Sequence, residues 1–199
     1  MENKKLRSYI YLSIQEAALE ILGRQEAHKI FGLAFDLNAP ATGLGDETAL
    51  DLISEISNEF SLKYHLNTAR GLLLRIGDAA FPKIRRRVAD LNDLGSIDNR
   101  LQPLDRRFPS ALEVLVSVIS SVMEIPVVLD VQDDHCYRVN RSRNPEDART
   151  GDLDLYLIAG LLRAFGSWLD SRREYRVQVE QASLPNTSGS VCLRILPAQ

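Results

Sequence analysis

Cysteine and histidine are scarce in this chain of 199 residues, which contains two cysteines and three histidines. Two thiols are too few for a disulfide scaffold, and the histidines fall in no metal-binding spacing such as HExxH. Cys136 and Cys192 are far apart in the sequence and form no CxxC motif. Two reduced, partly buried thiols are the simplest interpretation, because a disulfide requires two strands that bring them together.

Long apolar runs and an excess of charge of one sign are also absent. The longest apolar candidate, Ala111 to Ile125, is interrupted by Glu113 and Glu124, and a membrane helix needs roughly 20 apolar residues. The beginning of the sequence is polar, so we expect no signal peptide. A net charge of −3 creates no global field for nucleic acid. We therefore expect a cytoplasmic protein with no membrane span and no nucleic-acid partner.

Apolar residues, in contrast, are plentiful and make up 45% of the chain. A chain of this length buries about 70% of its unfolded surface, which is enough for a core without metal or disulfide staples. The sequence therefore predicts a single domain over residues 1–199.

Helical periodicity dominates the first half of the chain. Apolar residues recur at steps of three and four from Tyr9 to about Phe35, and Gly23 ends or bends the first helix. A short second helix is predicted to end near Ala34. The glycine-rich and proline-rich segment that follows is typical of a loop.

Two more helices are predicted before residue 90. The first, which has Phe60 on its apolar face, is capped by Asp46 or Thr48. The second runs over 67–88, where Pro82 predicts a kink or a break.

The second half mixes strands with helices. Alternation at 97–101 predicts a strand closed by Pro103, and the Ser110–Glu113 capping box predicts the start of an apolar helix that ends near Glu124. The remaining predicted elements are strands at 127–131 and 136–141 around a hairpin loop at 132–135, a helix over about 155–169, and strands at 175–179 and 191–196. Strands joined by short polar turns favour antiparallel pairing. We predict an α+β fold: N-terminal helices, then an antiparallel sheet of about four to five strands with helices packed on one face.

No conventional catalytic motif accompanies these elements. The sequence lacks a Walker A loop, a dinucleotide-binding glycine fingerprint and a G-x-S-x-G elbow. The apolar stripe of the helix at 155–169 fits a filled core, and it also fits one wall of a lipid-like or tetrapyrrole pocket. Periodicity alone leaves both interpretations open.

Three segments, at 68–81, 157–165 and 188–195, resemble the 4-vinyl-reductase-like family, also called the hydrocarbon-binding domain. Arg75, Gly77 and Phe81 match the Arg-x-Gly-Arg-Ala-x-Phe helix of that family, with Asp78 at its second arginine position. The second segment is similar to the family's Gly-Leu-Leu helix, and the third is similar to its cysteine-containing final strand, with Cys192 near the cysteine position.

This resemblance implies a fold shared with transport-particle subunits and haem-based nitric-oxide sensor domains. It implies leading helices in 1–66, an α+β ligand-binding core in 67–199 and a homodimer. Many relatives carry cysteines before the Gly-Leu-Leu helix, and often Cys-His at its start. Here the loop at 140–149 contains no cysteine, and the helix starts with Leu155-Tyr156 instead of Cys-His. No zinc, haem or other cofactor is therefore expected.

The leading hypothesis is a non-catalytic homodimeric module that binds a small apolar or tetrapyrrole-like ligand between the helices and the sheet. Arg75 fits either a partner for a ligand carboxylate or a structural ion pair. One alternative is an enzyme or accessory factor in the 4-vinyl reduction of bacteriochlorophyll-type tetrapyrroles, and another is a dimerisation scaffold that resembles transport-particle subunits. The candidate ligand-binding residues are Leu74, Arg75, Phe81, Tyr156, Phe165 and Trp168.

Overall fold

The computed structural model describes residues 2–31, 49–96, 103–123, 127–133, 136–141, 153–180 and 189–195. These ranges contain seven helices and four strands. In chain order they are α1 (Glu2–Leu22), α2 (Arg24–Phe31), α3 (Ala49–Lys63), α4 (Leu66–Arg87), α5 (Ala89–Asp93), α6 (Leu104–Met123), β1 (Val127–Asp133), β2 (Cys136–Arg141), α7 (Leu153–Leu169), β3 (Tyr175–Glu180) and β4 (Gly189–Ile195).

The four strands form one antiparallel sheet in the order β1-β2-β4-β3. Alternation assigns one face to the core, because Tyr137, Val139, Val191 and Leu193 are all buried in the main hydrophobic cluster. Helix α7 packs on β3 and β4, and α6 packs on β1. The predicted α+β class and antiparallel pairing are confirmed. The strand predicted at 97–101 lies outside the described residues, as do the proposed caps at 46 and 48.

The helical layer is built around α4 and α7, with α1 packed on the other side of α4. Small buried residues on α1, Ala17 and Ala18, allow that close approach. Arg87 extends from α4 to α1 and donates hydrogen bonds to Ser13 Oγ at 2.9 Å and to Glu16 Oε1 at 2.6 Å. Helix packing thus places α4 between the N-terminal helices and the rest of the core.

One predicted boundary is wrong because tertiary burial outweighs a local signal. Helix α6 begins at Leu104, so Ser110 lies inside it and donates its hydroxyl to the Arg106 carbonyl instead of capping the helix. The fully buried side chain of Phe108 stabilises this earlier turn. Of the two alternatives predicted for Pro82, a kink or a break, the break is absent, because helix α4 continues through Pro82 over nearly the predicted span of 67–88. Pro82 is exposed, whereas its neighbour Phe81 is buried.

The hairpin between β1 and β2 is also tighter than predicted. Residues 132 and 133 belong to β1 rather than to a loop, and the pairing register shifts between Val131 and Asp133. A bulge of this kind absorbs an extra residue without ending the strand.

Candidate functional site

Helices α4 and α7 cross with their backbones in contact. A Cβ atom added to Gly77 would overlap the Leu157 carbonyl, and one added to Gly160 would overlap the Leu74 carbonyl. Asp78 and Arg163 form a bidentate ion pair beside the crossing, with Arg163 Nε 3.1 Å from Asp78 Oδ1. This carboxylate contact raises the pKa of the Arg163 guanidinium. No ligand fits between the helices at this level.

The two helices run in roughly the same direction, which separates the predicted site residues into two groups. Near the beginning of both helices, the Arg70 guanidinium lies 5.3 Å from the centre of the Tyr156 ring. Near their ends, the Arg85 guanidinium lies 4.9 Å from the centre of the Trp168 ring. Residues near the beginning of α4 therefore contact residues near the beginning of α7, and residues near the end of α4 contact residues near the end of α7.

Three of the predicted residues, Phe81, Phe165 and Trp168, meet in one aromatic cluster at the second end. The ring centres of Phe81 and Phe165 are 5.9 Å apart in an edge-to-face arrangement, and Trp168 lies 5.8 Å from Phe81. Phe108 from α6 extends the cluster, 5.7 Å from Phe165. Phe81 and Phe165 are buried and Trp168 is partly buried, so the interior here is filled by aromatic side chains while the tryptophan reaches its boundary.

The other three predicted residues lie nearer the beginning of the helices. Leu74 and Tyr156 are partly buried, and Arg75 is exposed. Within the described ranges no carboxylate forms an ion pair with Arg75. The structure does not bring these three into the Phe81–Phe165–Trp168 cluster.

An open depression of about 500 Å³ lies beside Trp168. It is formed by the end of α7, the turn after α5 and the beginning of α6. Its walls are Leu94, Gly95, Arg107, Trp168, Leu169, Asp170, Ser171 and Arg172. We call this feature the Trp168 depression; its lining combines apolar side chains with two arginines and the Asp170 carboxylate.

The arginines around the Trp168 depression have different surroundings. Arg107 donates a hydrogen bond from Nη2 to the Leu169 carbonyl at 2.7 Å, which satisfies a carbonyl at the end of α7. Arg85 stacks on Trp168, and among the described residues it has no carboxylate partner. Arg172 is exposed at the rim. A negatively charged group placed here would meet the guanidinium groups of Arg107 and Arg172, and also the Asp170 carboxylate in the same wall.

Tyr175 is a residue of interest that the sequence did not single out. Its ring stacks on Phe108 at 5.7 Å with an interplanar angle of 7°, and its buried hydroxyl has no hydrogen-bond partner among the described residues. Burial, reinforced by the negative charge of Asp170, raises the pKa of Tyr175 to about 12. Period-two alternation placed this residue in a strand, but no local pattern indicates which aromatic hydroxyl becomes buried.

Neither a metal-binding group nor a membrane-spanning helix occurs in the described part of the chain. No three His, Cys, Asp or Glu side chains in those ranges come together to hold an ion. None of the helices there is long and apolar enough to cross a bilayer.

Comparison with solved structures identifies the class of fold. A trafficking protein particle complex subunit 3 from Naegleria fowleri, covalently bound to palmitic acid, matches with a TM-score of 0.53 and 11% identity, over 74% of this chain and 92% of that chain. A Tt H-NOX domain that carries two substitutions to phenylalanine matches with a TM-score of 0.59 and 9% identity, over 96% of both chains.

A third match is a mutant H-NOX protein from K. algicida in its Fe(II) unliganded form, with a TM-score of 0.54 and 12% identity, over 96% of this chain and 97% of that chain. The chain thus has the fold of trafficking-particle subunits and H-NOX domains, as the resemblance implied. At these identities the likeness concerns fold alone. No family model and no curated protein sequence matches the chain.

Proposed function

We propose that this chain is a non-catalytic, homodimeric module, organised as one 4-vinyl-reductase-like domain, that binds a small and largely apolar ligand. The ligand lies in the Trp168 depression, with its apolar body against Trp168 and Leu94 and an acid group toward Arg85. Tetrapyrrole-like molecules and fatty acids share this chemistry, since both join an apolar body to carboxylates.

The observation that carries this proposal is the position of Trp168. It is the one member of the Phe81–Phe165–Trp168 cluster that lines an open depression. A flat aromatic surface backed by packed phenyl rings offers rigid apolar contact at little entropic cost. A solved structure of the same fold carries palmitic acid covalently bound, which supports a role for an apolar ligand in this chain as well.

Substitutions at two leucines, one inside the depression and one outside it, test where the ligand binds. Trp168 is the only tryptophan, so its fluorescence reports directly on the depression. Burial of about 200 Å² of apolar ligand surface contributes about 5 kcal/mol before the cost of ordering the ligand, so with charge pairing we expect half-saturation by palmitic acid at about 100 µM or above. Leu94→Gln should weaken binding about tenfold. Leu72→Gln, at a partly buried leucine of α4 outside the depression, should leave it unchanged.

A comparison of a charged ligand with a neutral one tests the role of the acid group. Arg85→Gln should weaken binding of palmitic acid about tenfold and leave binding of the neutral alcohol hexadecanol unchanged. Equal losses for both probes would contradict the role of Arg85. A tryptophan signal that does not respond to palmitic acid or to protoporphyrin IX would contradict the ligand site itself.

A dimerisation scaffold is the second candidate function, and the filled interior favours it. Glycines bring α4 and α7 into backbone contact, and phenyl rings occupy the space toward the sheet. A scaffold binds its partner through its outer surface and needs no cavity in its interior. A stable dimer that binds neither probe would support this second candidate.

A further inference from the structure

The only two cysteines of the chain lie side by side on the two central strands. Cys136 begins β2 and Cys192 lies in β4, and their sulfur atoms are 3.0 Å apart although 56 residues separate them in sequence. The register pairs Cys136 with Arg194 and Arg138 with Cys192, so the cysteines are diagonal neighbours on one face of the sheet. Both thiols are free.

This thiol pair lies on the sheet face opposite the helices, among charged residues. Arg138 pairs with Glu180 Oε2 at 3.2 Å beside the thiols. The Arg194 guanidinium comes within 4.0 Å of Cys136 Sγ, and Asp130 faces Arg138 across the β1–β2 pair. Cys136 is buried and Cys192 is partly buried. A small oxidant can reach Cys192, whereas a protein surface cannot reach Cys136.

We propose that Cys136 and Cys192 form a dithiol modification site that closes reversibly into a disulfide when the chain meets a hydroperoxide. A disulfide has a sulfur–sulfur bond of about 2.05 Å, so the thiols need to approach by about 1 Å. Diagonal neighbours lie about 7–8 Å apart, at the upper limit for a disulfide, so the backbone at the strand end must also move. The register shift between Val131 and Asp133 lies next to Cys136, so this strand end moves with little loss of regular pairing.

The reaction balances with hydroperoxide as the oxidant. One thiolate attacks the peroxide and becomes a sulfenic acid, with release of water or an alcohol. The second thiolate then displaces hydroxide from that sulfenic sulfur, which forms the disulfide and, after protonation of the hydroxide, one molecule of water. Two electrons pass from the thiols to the peroxide, and a dithiol reductant reverses the closure.

Burial makes this site slow to react at neutral pH. It raises the pKa of Cys192 to about 11, and the contact with Cys136 and the charge of Glu180 act in the same direction, whereas Arg194 opposes them. The thiolate is the attacking species, so closure should accelerate between pH 7 and pH 9.

Disulfide formation would cross-link the two central strands of the sheet. The bond joins β2 to β4 and encloses α7 and β3, which lie between them in sequence. Cross-linking a loop of this length restricts the unfolded chain, so we expect the oxidised form to melt about 5–15 °C above the reduced form.

Mass spectrometry of the intact protein tests the proposal. Treatment with hydrogen peroxide, followed by alkylation under denaturing conditions, should give a monomer about 2 Da lighter that takes up no alkyl group. Dithiothreitol should restore the mass and two alkylatable thiols. Cys136→Ser and Cys192→Ser should both lack the 2 Da loss, and neither should show the rise in melting temperature.

Three results would overturn the proposal. The first is that both thiols remain alkylatable after peroxide treatment, and the second is irreversible oxidation to sulfinic acid. The third is a disulfide found only between two chains. Cys136→Ser and Cys192→Ser change one atom each, so we expect both variants to fold. Thermal melts recorded before oxidation check this.

Discussion

At the scale of single residues, two tyrosines with similar pKa values have opposite hydrogen-bond environments. The buried hydroxyl of Tyr175 has no partner in the described part of the chain, whereas the Tyr64 hydroxyl donates to Glu26 Oε1 at 2.8 Å. An unsatisfied buried polar group costs free energy, and a satisfied one stabilises by about 1 kcal/mol. Removal of the hydroxyl oxygen should therefore change the free energy of unfolding in opposite directions at the two tyrosines.

Tyr175→Phe should leave the free energy of unfolding within about 0.5 kcal/mol of the parent or raise it slightly. Tyr64→Phe should lower it by about 1 kcal/mol, because Glu26 loses a donor. Urea denaturation followed by circular dichroism measures both values. A larger loss for Tyr175→Phe than for Tyr64→Phe would show that the Tyr175 hydroxyl has a hydrogen-bond partner in the folded chain.

Alkaline pH should destabilise the fold through the same tyrosines. Both have a pKa of about 12 in the folded chain against an ordinary value of 10.0. The folded state holds the phenolic proton more tightly, so this stabilisation is complete below pH 10 and is lost as the pH rises toward 12.

The melting temperature of the parent should therefore fall between pH 9 and pH 11.5. The double variant Tyr64→Phe/Tyr175→Phe should lose less over the same interval, which separates these two tyrosines from the other titrating groups. Equal losses in parent and double variant would show that neither phenol contributes.

Residue types could be predicted from the sequence better than residue environments. Phe81, Phe165 and Trp168 were predicted as ligand contacts, and the structure places them in one cluster. Helix periodicity fixes which side chains share a face, but contact with a ligand stays a prediction. Arg85 and Tyr175 were not identified, since their importance depends on contacts with distant parts of the chain. Leu74, Arg75 and Tyr156 remain predicted ligand contacts, now placed away from the cluster.

At the scale of elements, the glycines of α4 show how the helix pair is packed. Gly77 faces the backbone of α7, whereas Gly71 in the same helix has nothing within 4 Å of an added Cβ atom. A methyl group at residue 77 must separate the helices, and a methyl group at residue 71 only removes the flexibility of glycine.

Gly77→Ala should lower the free energy of unfolding by about 2 kcal/mol or more, as an overpacked core substitution does. Gly71→Ala should raise it by up to about 1 kcal/mol, because alanine is the better helix former. Chemical denaturation of both variants measures the difference. Equal tolerance of the two substitutions would contradict the close crossing of α4 and α7.

Element types were predictable because they depend on periodicity, whereas their ends depend on packing. The strands at 136–141 and 175–179 were predicted within a residue or two of their observed bounds. The Ser110–Glu113 segment led to a wrong helix start. A capping signal is worth about 0.5–2 kcal/mol, whereas full burial of Phe108 contributes about 1.5–3 kcal/mol.

At the scale of the whole molecule, exposed apolar residues indicate where two copies would meet. Leu62 and Leu66 flank the turn between α3 and α4 and are 83% and 54% exposed. Val128 and Val131, on strand β1 at one edge of the sheet, are 56% and 53% exposed. We assign the proposed dimer contact to the two leucines, because Leu62 is the most exposed of these four residues.

Light scattering should give the parent a mass of twice 22.3 kDa. The double variant Leu62→Glu/Leu66→Glu should behave as a single chain, because it places charge at the contact. Val128→Glu should remain a dimer. Dissociation by Val128→Glu alone would move the contact to β1, and a parent that behaves as a single chain would contradict the homodimer.

Native mass spectrometry of the freshly purified protein, before and after incubation with palmitic acid, tests the proposed ligand site most directly. We expect a complex heavier than the bare protein by one ligand per chain, in the parent and in Leu72→Gln. The bound fraction should be much smaller in Leu94→Gln. Bare protein mass in every charge state, with palmitic acid present, would contradict the proposal that the Trp168 depression binds a ligand.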